Sequence, residues 1–244
     1  MTFSIVARSP NATLFGVAIA SSSPAVGARC AHARAGVGAV ATQNITDPAL
    51  GPLILGALQR NRAAGAGTAL DDALWSTPHA AYRQLAVIGP VGAPAVHCGA
   101  HALGVVAAAT GANAAAAGNL LADASVAAAM IGAFEAEPAI DAHPVNGADD
   151  VNGAGPGSFG ARLLKALHQG AACGGEAGPI HSAALLIVRD LSWPIVDLRV
   201  DWADHDPLGA LTRLWKVYAP QIEDYVRRAL APDRAPGFGV AGDP

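Results

Sequence analysis

Thr2, directly behind Met1 in "MTFSIVARSP", has the most to offer chemically. Its side chain is small enough for the initiator methionine to be trimmed, and a threonine at a new N-terminus carries its own base. An α-amine with a pKa of about 8 beside the hydroxyl can take its proton at neutral pH, which turns a weak nucleophile into one able to attack a carbonyl carbon. If Met1 stays, Thr2 is the first residue of an apolar strand. Further polar residues are set into apolar stretches: Gln43, Asn44, Thr46 and Asp47 in "VATQNITDP", Arg29, His32 and Arg34 in "GARCAHARAG", Arg83 and Gln84 opening "RQLAVIG", and Asn119 in "AGNLLAD". Each has an ordinary structural role open to it: an Asx turn before Pro48, or a helix N-cap at Asn119. Together they supply amide and guanidinium donors at strand ends, where stacked sheets expose a cleft.

Other motifs fail on context. Gly155, Gly157 and Gly160 fit G-x-G-x-x-G, but the preceding "HPVNGADDVNGA" reads as a polar loop and no acidic residue follows in a ribose-binding setting, so Ser158 is expected as a helix cap. His97 and His101 sit four apart in "VHCGAH", a strand and turn rather than a helix, and no third ligand stands at a definite spacing. Asp201, Asp204, His205 and Asp206 in "DWADHDP" suit helix capping and a solvated loop better than a cation site. "SSSP" at Ser21 to Ser23 lacks a nucleophile-elbow turn. Cys30, Cys98 and Cys173 are far apart and odd in number, so neither a disulfide framework nor a zinc site is expected, and no cofactor or metal is assigned.

The elements that must position these residues follow from composition and pattern. Of 244 residues 52% are hydrophobic and only 14% charged, so much of the surface is expected to be hidden in a homo-oligomer, a dimer or larger. A net charge of −4 with scattered Lys and Arg gives no footprint for nucleic acid, and the expected partner is a small molecule. No stretch reads as a membrane span or signal peptide, and a soluble cytoplasmic protein is expected.

"TFSIVAR" and "FGVAIAS" read as a hairpin, "AGVGAVATQN" as a third strand, and "RQLAVIG", "PAVHCG" and "LGVVAAAT" as later ones. Helices are expected at "GPLILGALQRNRAAG", at "TALDDALWSTPHAAY" with Thr68 as cap, at the Ala-rich "GNLLADASVAAAMIGAFEAE", and at "SFGARLLKALHQG" closed by Gly170. Strands "HSAALLIVRD" and "WPIVDLRVDW" precede a last helix capped by Asp206 and interrupted at Pro220. Strands apolar on both faces, interleaved with helices in blocks, predict an α+β fold: two largely antiparallel sheets between helical layers. One domain is expected over 1–230, with a Pro- and Gly-rich tail over 231–244.

The strings "MTFSIVAR", "GVAIASSSPAVGARCAHARAGVGAVATQNITDPALG", "YRQLAVI", "AGNLLAD", "GGEAGPIHSAALLIV" and "DLRVDW" resemble the bacterial family called domain of unknown function 1028, grouped with the N-terminal nucleophile (Ntn) hydrolases. The resemblance runs from Met1 to about Tyr225. It implies a four-layer αββα sandwich and cofactor-independent hydrolysis of a small amide C–N bond by Thr2. Asn44, Asn119 or amides near Gly118 would then bind the oxyanion, with Arg29, Arg83 or His181 on a substrate carboxylate and His32, Gln43 and Asp47 lining the site. His181 stands where many relatives carry Gln. Two rival readings remain: a non-catalytic small-molecule-binding or assembly protein on the same fold, and a metal-assisted hydrolase using Asp201, His205 and a distant His.

Overall fold

A computed structural model describes residues 1–136 and 155–240. The chain opens with β1 (Thr2–Arg8) and β2 (Phe15–Ser21), passes through the short helix α1 (Val26–Cys30), and returns in β3 (Ala31–Arg34) and β4 (Gly38–Asn44). Helices α2 (Leu50–Arg60) and α3 (Gly65–Trp75) follow, then β5 (Arg83–Ile88), β6 (Ala95–Cys98), β7 (Val105–Thr110) and β8 (Ala114–Leu121). The second half contributes α4 (Val126–Glu135), α5 (Pro156–Ala172), β9 (Ser182–Val188), β10 (Val196–Val200), α6 (Pro207–Tyr218) and α7 (Ile222–Leu230).

This is an α+β fold with two antiparallel sheets. One has six strands in the order β10-β9-β2-β1-β8-β7, the other four in the order β3-β4-β5-β6. Strand alternation divides the core. Phe3, Ile5 and Ala7 of β1 point toward Met130 and Phe134 of α4, Leu163 and Leu167 of α5, and Leu211 and Trp215 of α6. Val6, with Phe15, Val17 and Ile19 of β2, points the other way, onto Ala39, Ala41, Ala86 and Ile88 of the four-stranded sheet. The outer face of that sheet, at Val40, Leu85 and Val87, is covered by Ile54, Leu58 and Leu70 of α2 and α3. Small residues allow the close approaches: a Cβ on Gly27 would stand 2.4 Å from the Ala184 Cβ, so α1 lies against β9 only because that carbon is missing.

The opening hairpin and the strands β4, β5, β6, β7, β9 and β10 form where the apolar runs place them, and β1, β2, β4 and β9 are interior strands. Asp206 caps α6 by accepting from the Gly209 amide at 2.9 Å, and the chain bends after Tyr218 around Pro220. The segment 26–34, which no element was expected to occupy, holds α1 and the edge strand β3. Three expectations are corrected. Asn119 is not a helix cap: Ala114–Leu121 is a strand paired with β1 and β7, and tertiary pairing on both sides overrides the helix propensity of its alanines. α3 starts at Gly65, fed directly by a 3-10 turn, so Thr68 lies inside it. α5 starts after Gly155 and runs past Gly170 to Ala172. The expected polar loop "HPVNGADDVNGA" falls outside the described residues, as does the end of the tail.

Candidate functional site

The layer between the sheets changes character along its length. Toward one end it is apolar; toward the other, the same inward-facing positions become Thr2 and Ser4 of β1, Ser21 of β2, Gln43 of β4, Gln84 of β5, Asn119 of β8 and Ser182 of β9, all buried. This follows from parity, since successive side chains alternate faces and these residues continue the rows of Val6, Ile19, Ala41, Ala86, Ala117 and Ala184. Buried polar groups need partners, and these mostly find each other across the sheets. The Ser4 hydroxyl donates to Gln43 Oε1 at 2.7 Å, Gln43 Nε2 donates to Gln84 Oε1 at 2.8 Å and to the Ala117 carbonyl at 3.0 Å, and Asn119 Nδ2 donates to Gln84 Oε1 at 3.0 Å. Gln84 Nε2 in turn donates to the Gly118 carbonyl at 2.9 Å.

Thr2 stands at the outer edge of this network, between Ser21 and Asn119 in the strand register. Its hydroxyl lies 3.1 Å from the Ser21 hydroxyl, and both hydroxyls donate to the Met1 carbonyl at 2.5 Å. The Ser23 amide donates to Ser21 Oγ at 3.1 Å, which orients that hydroxyl toward Met1. Three non-glycine residues around this end adopt left-handed backbone: Ala25 (φ 53°), Asn44 (φ 73°) and Leu120 (φ 50°). Such conformations cost on the order of 1 kcal/mol each and gather where a site fixes them.

Sequence reasoning did not single out Glu176. It is 5% exposed, bridges backbone-to-backbone with Leu121, and neither carboxylate oxygen has a hydrogen-bond partner among the described residues. Burial pushes its pKa up to about 7; Ser22, the Met1 ammonium and His181 are close enough to pull it back part of the way. The Asn119 amide oxygen is likewise buried and unpartnered. His181 donates from Nδ1 to the Ala203 carbonyl at 2.9 Å and stacks on the indole of Trp202 with centroids 4.2 Å apart.

The Glu176 carboxyl gives a pH prediction. The unfolded chain releases that proton near its ordinary value of 4.5, whereas the folded protein holds it to about 7. The folded state therefore binds the extra proton between these values, and stability, complete below pH 4.5, falls as pH rises through 7. The loss is at most about 3 kcal/mol. Urea denaturation at pH 5 and pH 8 measures it, and Glu176→Gln is expected to flatten the difference; an unchanged slope in that variant contradicts the assignment.

The nine residues singled out in the sequence divide into groups. Thr2, Gln43 and Asn119 meet in the polar layer, and His181 lies beside Glu176. Asn44, Asp47 and Arg83 form a neighbouring cluster at the end of the four-stranded sheet. Asn44 donates to the Tyr82 carbonyl at 2.6 Å and accepts from the Leu103 amide at 3.2 Å; Arg83 reaches the Ile45 carbonyl and lies 3.9 Å from Asp47, which also accepts from the Ala49 amide. These contacts fix the turn into α2. Arg29 folds back onto the Pro24 carbonyl at 2.9 Å. The His32 ring lies on the opposite face of its sheet, against Gly51 of α2, where burial lowers its pKa. A cavity of about 500 Å³ lies away from all of these, between β10 and α6, lined by Leu198, Leu214, Val217 and Tyr218.

Of the residues considered for a cation, Asp206 caps its helix, Asp204 accepts from the Trp202 indole at 3.0 Å, and His97 meets the Ala80 carbonyl at 3.0 Å. Among the described residues no three His, Cys, Asp or Glu side chains converge as a ligand set, and no helix is long and apolar enough to cross a membrane.

Comparison with known proteins places this geometry. A crystallised family member from Silicibacter pomeroyi superposes with a TM-score of 0.77 at 29% identity, over 93% of this chain and 90% of that one. Anbu (ancestral beta-subunit) from Yersinia bercovieri gives a TM-score of 0.36 at 12% identity over 98% and 100%, too low to bear on the fold. No curated protein matches. The family of unknown function DUF1028 matches over residues 2–211, and the chain, from the strand that carries Thr2 to the helix that Asp206 caps, belongs to it.

Proposed function

We propose that this protein is a cofactor-independent amidohydrolase on a four-layer αββα sandwich of the Ntn type, with Thr2 as nucleophile once Met1 is removed. The observation that carries the reading is the placement of the Thr2 hydroxyl at the polar end of the inter-sheet layer, 3.1 Å from Ser21 and hydrogen-bonded to the carbonyl that precedes its own nitrogen. With Met1 gone, that nitrogen is an amine beside the hydroxyl. Thr2 Oγ1 attacks the scissile carbonyl while the amine takes its proton; the C–N bond then breaks as the ammonium returns the proton to the leaving nitrogen. Water, deprotonated by the same amine, hydrolyses the ester and regenerates the threonine. The second N–H of the Asn119 amide, and the Ser21 hydroxyl, are the donors placed to face a developing oxyanion. Intact mass of the native protein tests the first requirement: a mass short by one methionine is expected, and retained Met1 in active protein rules the mechanism out.

A second reading is favoured by one specific observation. The Met1 carbonyl accepts two hydroxyl hydrogen bonds, so an unprocessed chain is well accommodated and could serve as a binding protein on the same fold. We further propose a cytoplasmic homo-oligomer of at least two chains. Exposed Trp75, Val217 and Leu230 support association. Light scattering is expected to give a mass of at least twice 24.3 kDa; a monomer throughout the micromolar range contradicts it.

A further inference from the structure

We propose that Glu176 and the Asn119 amide oxygen form the recognition end of the Thr2 site, and that the ligand they select is an amide whose acyl part carries a compact ammonium group close to the carbonyl. Hydrolysis of that amide rests on the amidohydrolase reading; its recognition does not.

The arginines that would have clamped an anionic ligand are engaged elsewhere, Arg83 on the Ile45 carbonyl and Asp47, Arg29 on the Pro24 carbonyl. What the site leaves without a hydrogen bond of good geometry is acceptors: both oxygens of Glu176, which Ser22 approaches without meeting that geometry, and Oδ1 of Asn119, in residues 5% and 0% exposed. No Lys, Arg or N-terminal nitrogen lies within 4.0 Å of Glu176 among the described residues. A buried carboxylate without a cation is costly, and one kept in a site is relieved by a ligand that brings the charge.

Met1 shows how such a ligand would lie. Its carbonyl takes the hydroxyls of Thr2 and Ser21, its ammonium acts electrostatically on Glu176, and its side chain lies over Gly178, where a Cβ would come within 2.8 Å of the Met1 methyl. Met1 thus stands in for an α-aminoacyl group: a carbonyl at the hydroxyls, an ammonium one carbon away toward the carboxylate, and a side chain over glycine. Removing Met1 empties that space and leaves its three contacts in place. The half-exposed indole of Trp202, stacked on His181, adds an aromatic face suited to a cation at the entrance.

The test uses full-length protein lacking Met1 and the ligand glycinamide, with acetamide as its neutral and succinamate as its anionic counterpart. Binding is read by calorimetry and thermal shift rather than turnover. Glycinamide is expected to bind at least tenfold more tightly than acetamide, and succinamate not at all. Glu176→Gln, which keeps shape and removes charge, is expected to abolish the preference, whereas Thr2→Ala is expected to keep it. Loss of catalysis with the preference intact therefore separates the two readings. In the wild type, affinity should be greatest at about pH 7.5, where Glu176 is ionised and the ligand amine still protonated; this holds even if the Gln variant folds poorly. Equal binding of glycinamide and acetamide, preference for succinamate, or an unchanged preference in Glu176→Gln overturns the proposal.

Discussion

Replacing Thr2 by Ala in the Met1-free protein is expected to lower amide turnover at least about a thousandfold while leaving the fold intact. The nucleophile has no substitute within reach that also carries a base. Ser21, 3.1 Å away, has a hydroxyl but sits inside a strand, its nitrogen committed to the peptide bond. The cost to stability is small because Thr2 lies at the first position of β1, and losing one hydroxyl and one methyl there removes no more than about 1–2 kcal/mol. Thr2→Ser is the sharper variant, since hydroxyl and α-amine both survive and only the methyl that restricts the rotamer is lost; it is expected to keep a measurable part of the rate. Steady-state kinetics on a hydrolysed amide, with urea denaturation in parallel, decide the matter. An Ala variant with undiminished kcat/KM would make Thr2 only the first residue of a strand.

Much of the scaffold was legible because the physics that sets it is local. Apolar runs such as "FGVAIAS" and "SAALLIV" are buried on both faces and can hardly be anything but interior strands. Asp206 and Pro207 announce α6 in two residues. The Ala-rich segment from Gly118 misled for the opposite reason: its alanines favour helix locally, and only the presence of β1 on one side and β7 on the other makes its opening "GNLL" part of a strand. The site was half legible on the same ground. Gln43 and Asn119 stand out as polar residues in apolar surroundings, but whether such a residue faces the inter-sheet layer depends on strand parity. His32 and Gln43 look alike in the sequence and point to opposite faces of one sheet. Glu176 carried no signal at all in "GGEAG". Its meaning lies in burial beside a chain end 175 residues away, which no window of sequence contains.

Gln84 is the residue on which the polar layer turns, and Gln84→Leu is expected to destabilise the protein by about 3–5 kcal/mol, a large part of a typical domain's total. The two side chains are close in volume, so the cost is not a cavity. Leucine would leave the Asn119 Nδ2 without its partner, take from the Gly118 carbonyl the donor that Gln84 Nε2 supplies, and take one of two acceptors from Gln43 Nε2, which keeps the Ala117 carbonyl. Each buried group left unpaired costs about 1–3 kcal/mol. Because Gln43 and Gln84 share the 2.8 Å bond, which each single replacement already removes, the losses should not be additive. Replacing both by Leu loses that bond once rather than twice, and the double variant is expected to lose about 1 kcal/mol less than the two single losses combined. Urea denaturation of the four proteins completes the cycle. The functional consequence follows from the same bonds: Gln84 Oε1 fixes the amide plane of Asn119, so the single variant should weaken glycinamide binding even at temperatures where it is fully folded. Additive losses, or a Gln84→Leu protein as stable as the parent, would mean that the two sheets are held by their apolar end alone and that the polar end does not act as one network.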